Sequence, residues 1–271
     1  RSGGGILSTV AATRAASLEE LVEKGTQLLE EMLSFGTTTC EVKSGYGLST
    51  QEELKQLQVT RSLGAIQPIE LVSTFMGAHA IPAEYKENRE GYLALLCDEM
   101  LPAVWESELA EYCDVFCETA VFSIEETRQI LQRARELGFD LKGHMDEIDP
   151  IGGAELAGEM GLVSAEHLIQ ASDSGIQAMA KAGTVAVLLP CASFYLDKPY
   201  ARARDMIAAG TAVAVATDFN PGSSPNLNLQ LAMNLACLKY KLTPAQALTA
   251  VTLNGAAAIG RAEQVGSIEV G

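Results

Sequence analysis

A glycine closes one helix-like stretch after another along this chain: Gly36, Gly64, Gly138, Gly161, Gly183 and Gly210. Each stands where the left-handed residue that ends a helix belongs, a conformation glycine adopts without a Cβ penalty. Apolar or β-branched runs alternate with these helices. They are Thr37 to Val42, Ile69 to Phe75, Asp114 to Cys117, Phe139 to Leu141, Leu162 to Ala165, Thr184 to Leu189 and Thr211 to Ala216. Val185 to Leu189 is apolar at every position, as a strand buried on both faces of a parallel sheet is. Helix starts are marked too. Ser17 with Glu20, Thr50 with Glu53, Ser123 with Glu126, and Thr243 with Pro244 and Gln246 have the spacing of capping boxes. A further helix is expected after Pro82, across Leu93 to Leu101.

Seven strands alternating with helices make an α/β chain, one strand short of a TIM-type (β/α)8 barrel. An open doubly wound sheet is the structural alternative. Polar residues at nearly every strand exit favour the barrel, whose active site gathers side chains from many strand ends. Residues 1–271 are therefore read as a single barrel domain. Its missing strand is expected before Arg1, and Ser267 to Val270 reads as the start of another. Both ends read as cut from something longer.

Composition narrows the setting. Apolar residues make up 48% of the 271, enough for a sizeable core, and no apolar run reaches the ~18 residues a membrane span needs. No signal-peptide pattern stands at the start. The formal charge of −16 argues against nucleic acid or an anionic membrane as partner, although a solvated acidic face has the same composition. The six cysteines form no Cys-x-x-Cys pair, which makes a reducing cytoplasm the simplest setting.

The strand exits carry the chemistry. His144 lies in Lys142-Gly143-His144-Met145-Asp146-Glu147-Ile148, and a histidine there, with Glu147 three residues on, suits a metal ligand beside an acid/base or substrate-binding group. A hydrogen-bonded structural histidine is the alternative. Asp218 follows a very apolar strand, where a carboxylate is costly unless paired or bound to a metal. An Asx-turn before Pro221 explains it equally well. Asn220, Gly222 and Ser223 offer hydrogen bonds to a polar substrate, or turn chemistry alone. His79 and His167 are the chain's other histidines, both at strand exits. Tyr46 sits in a glycine-flanked loop, either as a donor to a carboxylate or as a surface turn residue. No Gly-x-Ser-x-Gly and no dinucleotide-type glycine motif is present.

With these motifs in hand, the chain resembles the amidohydrolase superfamily and, within it, the imidazolonepropionases. The resemblance rests on Gly3-Gly4-Gly5-Ile6 with Thr13-Arg14, Glu41-Val42-Lys43-Ser44-Gly45-Tyr46-Gly47-Leu48, Gly77-Ala78-His79 and Asp114-Val115-Phe116-Cys117-Glu118. It continues in His144-Met145-Asp146-Glu147-Ile148, Ser164-Ala165-Glu166-His167-Leu168 and Ala216-Thr217-Asp218-Phe219-Asn220-Pro221-Gly222-Ser223-Ser224-Pro225. It implies metal-assisted hydrolysis of a cyclic amide, 4-imidazolone-5-propanoate, to N-formimidoyl-L-glutamate, with one zinc or iron ion and a homodimer. Carried over by motif, His144 and Asp218 are metal ligands. Tyr46, His79, Glu147 and Ser223 contact substrate, Asn220 and Gly222 contact the opened product, and His167 assists catalysis. The His-x-His pair and the arginine that the resemblance also implies are not among these residues. Met145 and Cys191 stand where a smaller residue and a glycine are expected. A deaminase acting on a purine-like ring and a non-catalytic barrel are the rival readings; an assay on both ring types and the metal content separate them.

Overall fold

The computed structural model describes residues 5–270, so Gly3 and Gly4 of the glycine run lie outside the described residues. The chain forms two compact units, Arg1–Leu141 and Lys142–Gly271. The boundary falls inside a strand.

In the first unit, β1 (Thr39–Lys43), β2 (Glu70–Ala78) and β3 (Tyr112–Cys117) pair in parallel and in chain order. The β2–β3 register slips between Phe75 and Ala78. Helices α1 (Ile6–Ala15), α2 (Leu18–Ser34), α3 (Thr50–Gly64), α4 (Arg89–Leu95), α5 (Leu101–Glu106) and α6 (Ile124–Leu137) lie between the strands or beyond them in sequence. Leu57, Val72, Phe75, Met100, Leu101, Val115, Ile130 and Leu131 are among the buried core. Helix α6 shows why such a sequence folds. Thr127, Ile130, Leu131 and Ala134 recur on one face and are buried, contributing ~2 kcal/mol for each large apolar side chain. Ser123 and Glu126 close its capping box. Gly138 ends it at φ 115°, where a Cβ would also stand 2.6 Å from the Trp105 ring.

In the second unit, β4 (Asp140–Met145, which begins before the boundary), β5 (Ser164–His167), β6 (Val185–Leu188) and β7 (Val213–Val215) pair in parallel, again in chain order. Its helices are α7 (Gly153–Met160), α8 (Asp173–Ala182), α9 (Pro190–Leu196), α10 (Ala203–Ala208), α11 (Leu229–Lys239), α12 (Pro244–Val251) and α13 (Leu253–Ala258). Helices α7 and α8 meet through glycines, because a Cβ on Gly158 would stand 2.4 Å from Ala178 and one on Gly175 would stand 2.5 Å from Ala154. Val185, Val187, Leu189, Ala192, Ala214 and Ala258 form one apolar cluster. Lys142 is fully buried, and its ammonium donates to the Ala258 carbonyl at 2.8 Å, tying β4 to α13.

The seven expected strands are the seven present among the described residues, and neither unit contains the order reversal of a doubly wound sheet. Several local expectations need correction. Gly64 is the last residue of α3 and not its left-handed cap; Ala65 takes the cap position in a right-handed conformation. Thr50 and Glu53 form no capping box: Thr50 donates to Glu99, and Glu53 turns inward. The expected helix across Leu93 to Leu101 is interrupted by a π-turn, Leu96–Met100, with Pro102 just beyond it. Strand β4 continues through Met145, so His144 lies within it. Ser267 to Val270 forms no strand, because Ile268 and Val270 project fully into solvent with no sheet beside them. Helices α1, α9 and α13 lack strong amphipathic or capping signals and were not anticipated.

Helix α6 yields a test. Glu126 closes the capping box and also pairs with Arg89 Nε at 2.5 Å. Its carboxyl is held below the usual carboxylate range, chiefly by the Arg89 hydrogen bond. A lowered folded value gives stability that is present above the unfolded value, ~4.3, and lost as pH falls through the folded one. Glu126→Gln keeps a capping acceptor but loses the ion pair, costing about 1 kcal/mol at pH 7, with the gap from wild type closing below about pH 4. Urea unfolding at pH 7 and pH 3 checks this; a gap that does not change with pH would place the loss in packing.

Candidate active site

The second unit gathers two imidazoles and three carboxylates at the C-terminal ends of its strands. His144 in β4 is the direct cross-strand partner of Glu166 in β5. That register brings His144 Nδ1 to 3.3 Å from Glu166 Oε2. A carboxylate oxygen only accepts, so the ring carries a proton on Nδ1 in this contact. His167 ends β5; its Nε2 is 3.6 Å from Glu147 Oε2, and its ring centroid is 5.2 Å from that of His144. Asp218 follows β7. Burial pushes its carboxyl up, charge on His167 and His144 pulls it down, and Glu147 and Glu166 push it up again.

The backbone here is strained. Asp146, His167, Leu168 and Asp218 are left-handed, with φ of 49°, 67°, 56° and 52°. Each costs roughly 1 kcal/mol or more, so surrounding bonds must hold it. Leu168 N–H donates to the Met145 carbonyl at 3.0 Å, and Gln170 N–H to that of Asp146 at 2.8 Å. The buried Asp146 carboxylate accepts from the amides of Ile151, Gly152, Gly153 and Ala154 at 2.8 to 3.1 Å. It supplies the acceptor that α7 lacks at its own N-cap, Gly152. It thereby pins the loop that carries Glu147.

Asn220, Gly222 and Ser223 share one turn. The Asn220 side-chain oxygen accepts from the Gly222 and Ser223 amides at 2.9 and 2.7 Å, and its nitrogen donates to the Asp218 carbonyl at 2.8 Å. Their turn chemistry is therefore real, and it sets the conformation of the residues after Asp218. Met145 and Cys191 are both fully buried. Met145 fills the space that Gly143 and Gly153 leave open. The Cys191 thiol accepts from Asn226 at 3.3 Å and is pushed up to about 11 by burial, so it stays neutral.

In the first unit, Tyr46 and His79 meet edge to face with centroids 5.1 Å apart, and Phe116 lies 6.1 Å from the His79 ring. His79 Nδ1 is 3.0 Å from the Gly45 carbonyl. That oxygen can only accept, so Nδ1 carries a proton. Beneath them Lys43 bridges Glu41 at 2.9 Å and Asp114 at 2.8 Å, and Thr74 donates to Glu41.

Sequence reasoning misses the roles of Glu166, Asp146 and Glu53. Glu166 sits inside a quoted motif, but only the β4–β5 register makes it the partner of His144. Asp146 reads as a turn residue until its four amide donors are seen. His144 Nε2 and the Asp218 carboxylate are a nitrogen and an oxygen donor of the kind that zinc and iron accept, and the surrounding carboxylates favour a cation.

Residues 7–271 match the model of the amidohydrolase family. The chain is 56% identical over 270 residues to an imidazolonepropionase of Alkaliphilus metalliredigens and 57% identical over 270 residues to one of Bacillus cytotoxicus. Both alignments cover 99% of this chain and 64% of the relative, so the chain spans just under two thirds of their length. Among solved structures, a zinc-bound adenosine deaminase from Xanthomonas campestris superposes with a TM-score of 0.71 at 21% identity, covering 96% of this chain and 61% of that one. That likeness shows a shared fold, and the family match makes it that of the amidohydrolases.

The Asp146 cap gives a direct test. Asp146→Ala leaves four amides without their acceptor and should cost about 2–4 kcal/mol in urea unfolding of the full-length protein, with faster amide exchange across residues 147–154. A loss under about 0.5 kcal/mol would mean that water replaces the carboxylate.

Proposed function

The chain belongs to the amidohydrolase family, which is metal-dependent, and from that premise we propose that the full-length protein hydrolyses 4-imidazolone-5-propanoate to N-formimidoyl-L-glutamate. The observation that carries this reading is the cluster at the strand ends in which His144 meets Glu166 at 3.3 Å, His167 meets Glu147 at 3.6 Å, and the two imidazoles lie 5.2 Å apart. The names of the 56–57% identical relatives supply the ring it acts on.

In this reading His144 and Asp218 would hold one zinc or iron ion. When bound, such an ion lowers the pKa of water and polarises a carbonyl. Asp218 accepts the proton of the attacking water and returns it to the ring nitrogen as the C–N bond breaks. His167, held against Glu147, faces the oxyanion that develops on the carbonyl oxygen. His79, whose Nδ1 donates to the Gly45 carbonyl, is the alternative for that task and also contacts substrate. Glu147 accepts a ring N–H and fixes orientation. Tyr46 and Ser223 donate to substrate oxygens, and Asn220 and Gly222 contact the opened chain. A cytoplasmic homodimer is part of the same proposal; among the described residues no helix is long and apolar enough to cross a membrane.

Asp218→Ala should lower kcat/KM by more than about a thousandfold in the full-length protein. Retention of more than about a tenth of the wild-type value would remove Asp218 from proton transfer. Tyr46→Phe should raise KM for imidazolonepropionate about tenfold with little change in kcat; a fall in kcat at unchanged KM would contradict a binding role.

A further inference from the structure

The loop from Ser44 to Leu48 carries Tyr46, and three of the backbone amides around that residue are taken by one side chain. Glu53, fully buried in the first turn of α3, accepts from Gly47 and Leu48 at 2.8 Å on one oxygen and from Gly45 at 3.0 Å on the other. The Ser44 hydroxyl donates to the same carboxylate and accepts from the Met76 amide at 2.9 Å. The Tyr46 amide itself goes to Gln56 of the same helix at 3.3 Å. On the opposite side, Arg14 donates to the carbonyls of Gly47 at 2.6 Å and Leu48 at 3.2 Å and pairs with Glu84 at 2.8 Å.

The loop cannot be held this way by ordinary turn geometry. Gly45 and Leu48 are left-handed, at φ 104° and 52°. A Cβ on Gly47 would stand 2.5 Å from the α3 backbone at Glu52 and Glu53. Ser44, Gly45, Gly47 and Leu48 are all buried, whereas Tyr46 keeps part of its side chain exposed against His79. A buried carboxylate is costly; burial pushes the Glu53 carboxyl up, and the bonds from Ser44, Leu48, Gly47 and Gly45 pull it back. Those bonds are also what make the loop rigid.

We infer that Glu53 is a positioning residue for substrate binding: by gripping the amides on both sides of Tyr46, with Arg14 on the carbonyl side, it sets the direction of the Tyr46 hydroxyl. The inference rests on the reading of Tyr46 as a substrate contact. Small displacements of a positioning group change binding strongly, so the effect belongs in KM.

The test uses the full-length protein with Glu53→Gln, Arg14→Met and Tyr46→Phe, singly and with each of the first two combined with the third. Glutamine puts an NH2 where a carboxylate oxygen accepted, so at least one loop amide loses its partner. Arg14→Met frees the carbonyl side without stranding a buried donor, and it carries the test where Glu53→Gln fails to fold. The expected results are a rise in KM of about tenfold with kcat within about threefold, and amide exchange across residues 44–48 at least about tenfold faster. Combined with Tyr46→Phe, neither variant should raise KM further, because all act through one hydroxyl. Unchanged KM in both loop variants while Tyr46→Phe raises it would overturn the inference and leave the role of Tyr46 intact. Effects that multiply with Tyr46→Phe would also overturn it, as a merely structural role predicts. Unchanged KM in Tyr46→Phe would remove Tyr46 from substrate binding, and the inference with it.

Discussion

One side-chain acceptor gripping several backbone amides holds each of three candidate loops of this protein. Asp146 takes four amides before α7, Glu53 takes three around Tyr46, and the Asn220 amide oxygen takes two after Asp218. The physical logic is the same in each. A loop at a strand exit has amides with no ladder partner, and leaving one buried and unmade costs about 1–3 kcal/mol. One side chain answers several at once and fixes the loop in a conformation that would not persist alone. Of the candidate side chains, Glu147 is next to Asp146, Ser223 is three residues after Asn220, and Tyr46 lies between the amides that Glu53 takes.

This anchoring explains why the strand exits tolerate strain. Left-handed conformations at Asp146, His167 and Asp218 break the two-residue alternation of a strand. Simple alternation would send Glu166 and His167 to opposite faces. In the structure both meet His144, Glu166 at 3.3 Å and His167 with ring centroids 5.2 Å apart. The active groups are thus assembled by local backbone distortion on a rigid parallel sheet, with loops that the buried acceptors keep from relaxing.

The repeating order of helix, glycine and strand was legible because it rests on local rules. Left-handed φ at Gly36, Gly138, Gly161, Gly183 and Gly210 follows from the absence of a Cβ. The histidines and Asp218 were legible as candidates because polar residues after apolar strands are costly without a task. What escaped was everything set by pairing or by the third dimension. The Thr50–Glu53 spacing fits a capping box, yet the neighbouring loop offered Glu53 more donors than the helix start did. Glu166 could be placed opposite His144 only by the β4–β5 register. Ser267 to Val270 has strand-like alternation but, among the described residues, no sheet edge to join.

The central claim is that this site hydrolyses an imidazolone ring with a metal held in part by His144 and Asp218. The most direct measurement is metal content of the full-length protein together with its rate on 4-imidazolone-5-propanoate and on adenosine and guanine, under the same conditions. The account predicts about one equivalent of zinc or iron per chain, hydrolysis of the imidazolone, and no reaction with either purine. A metal-free protein, or one that deaminates a purine and leaves the imidazolone untouched, would contradict it.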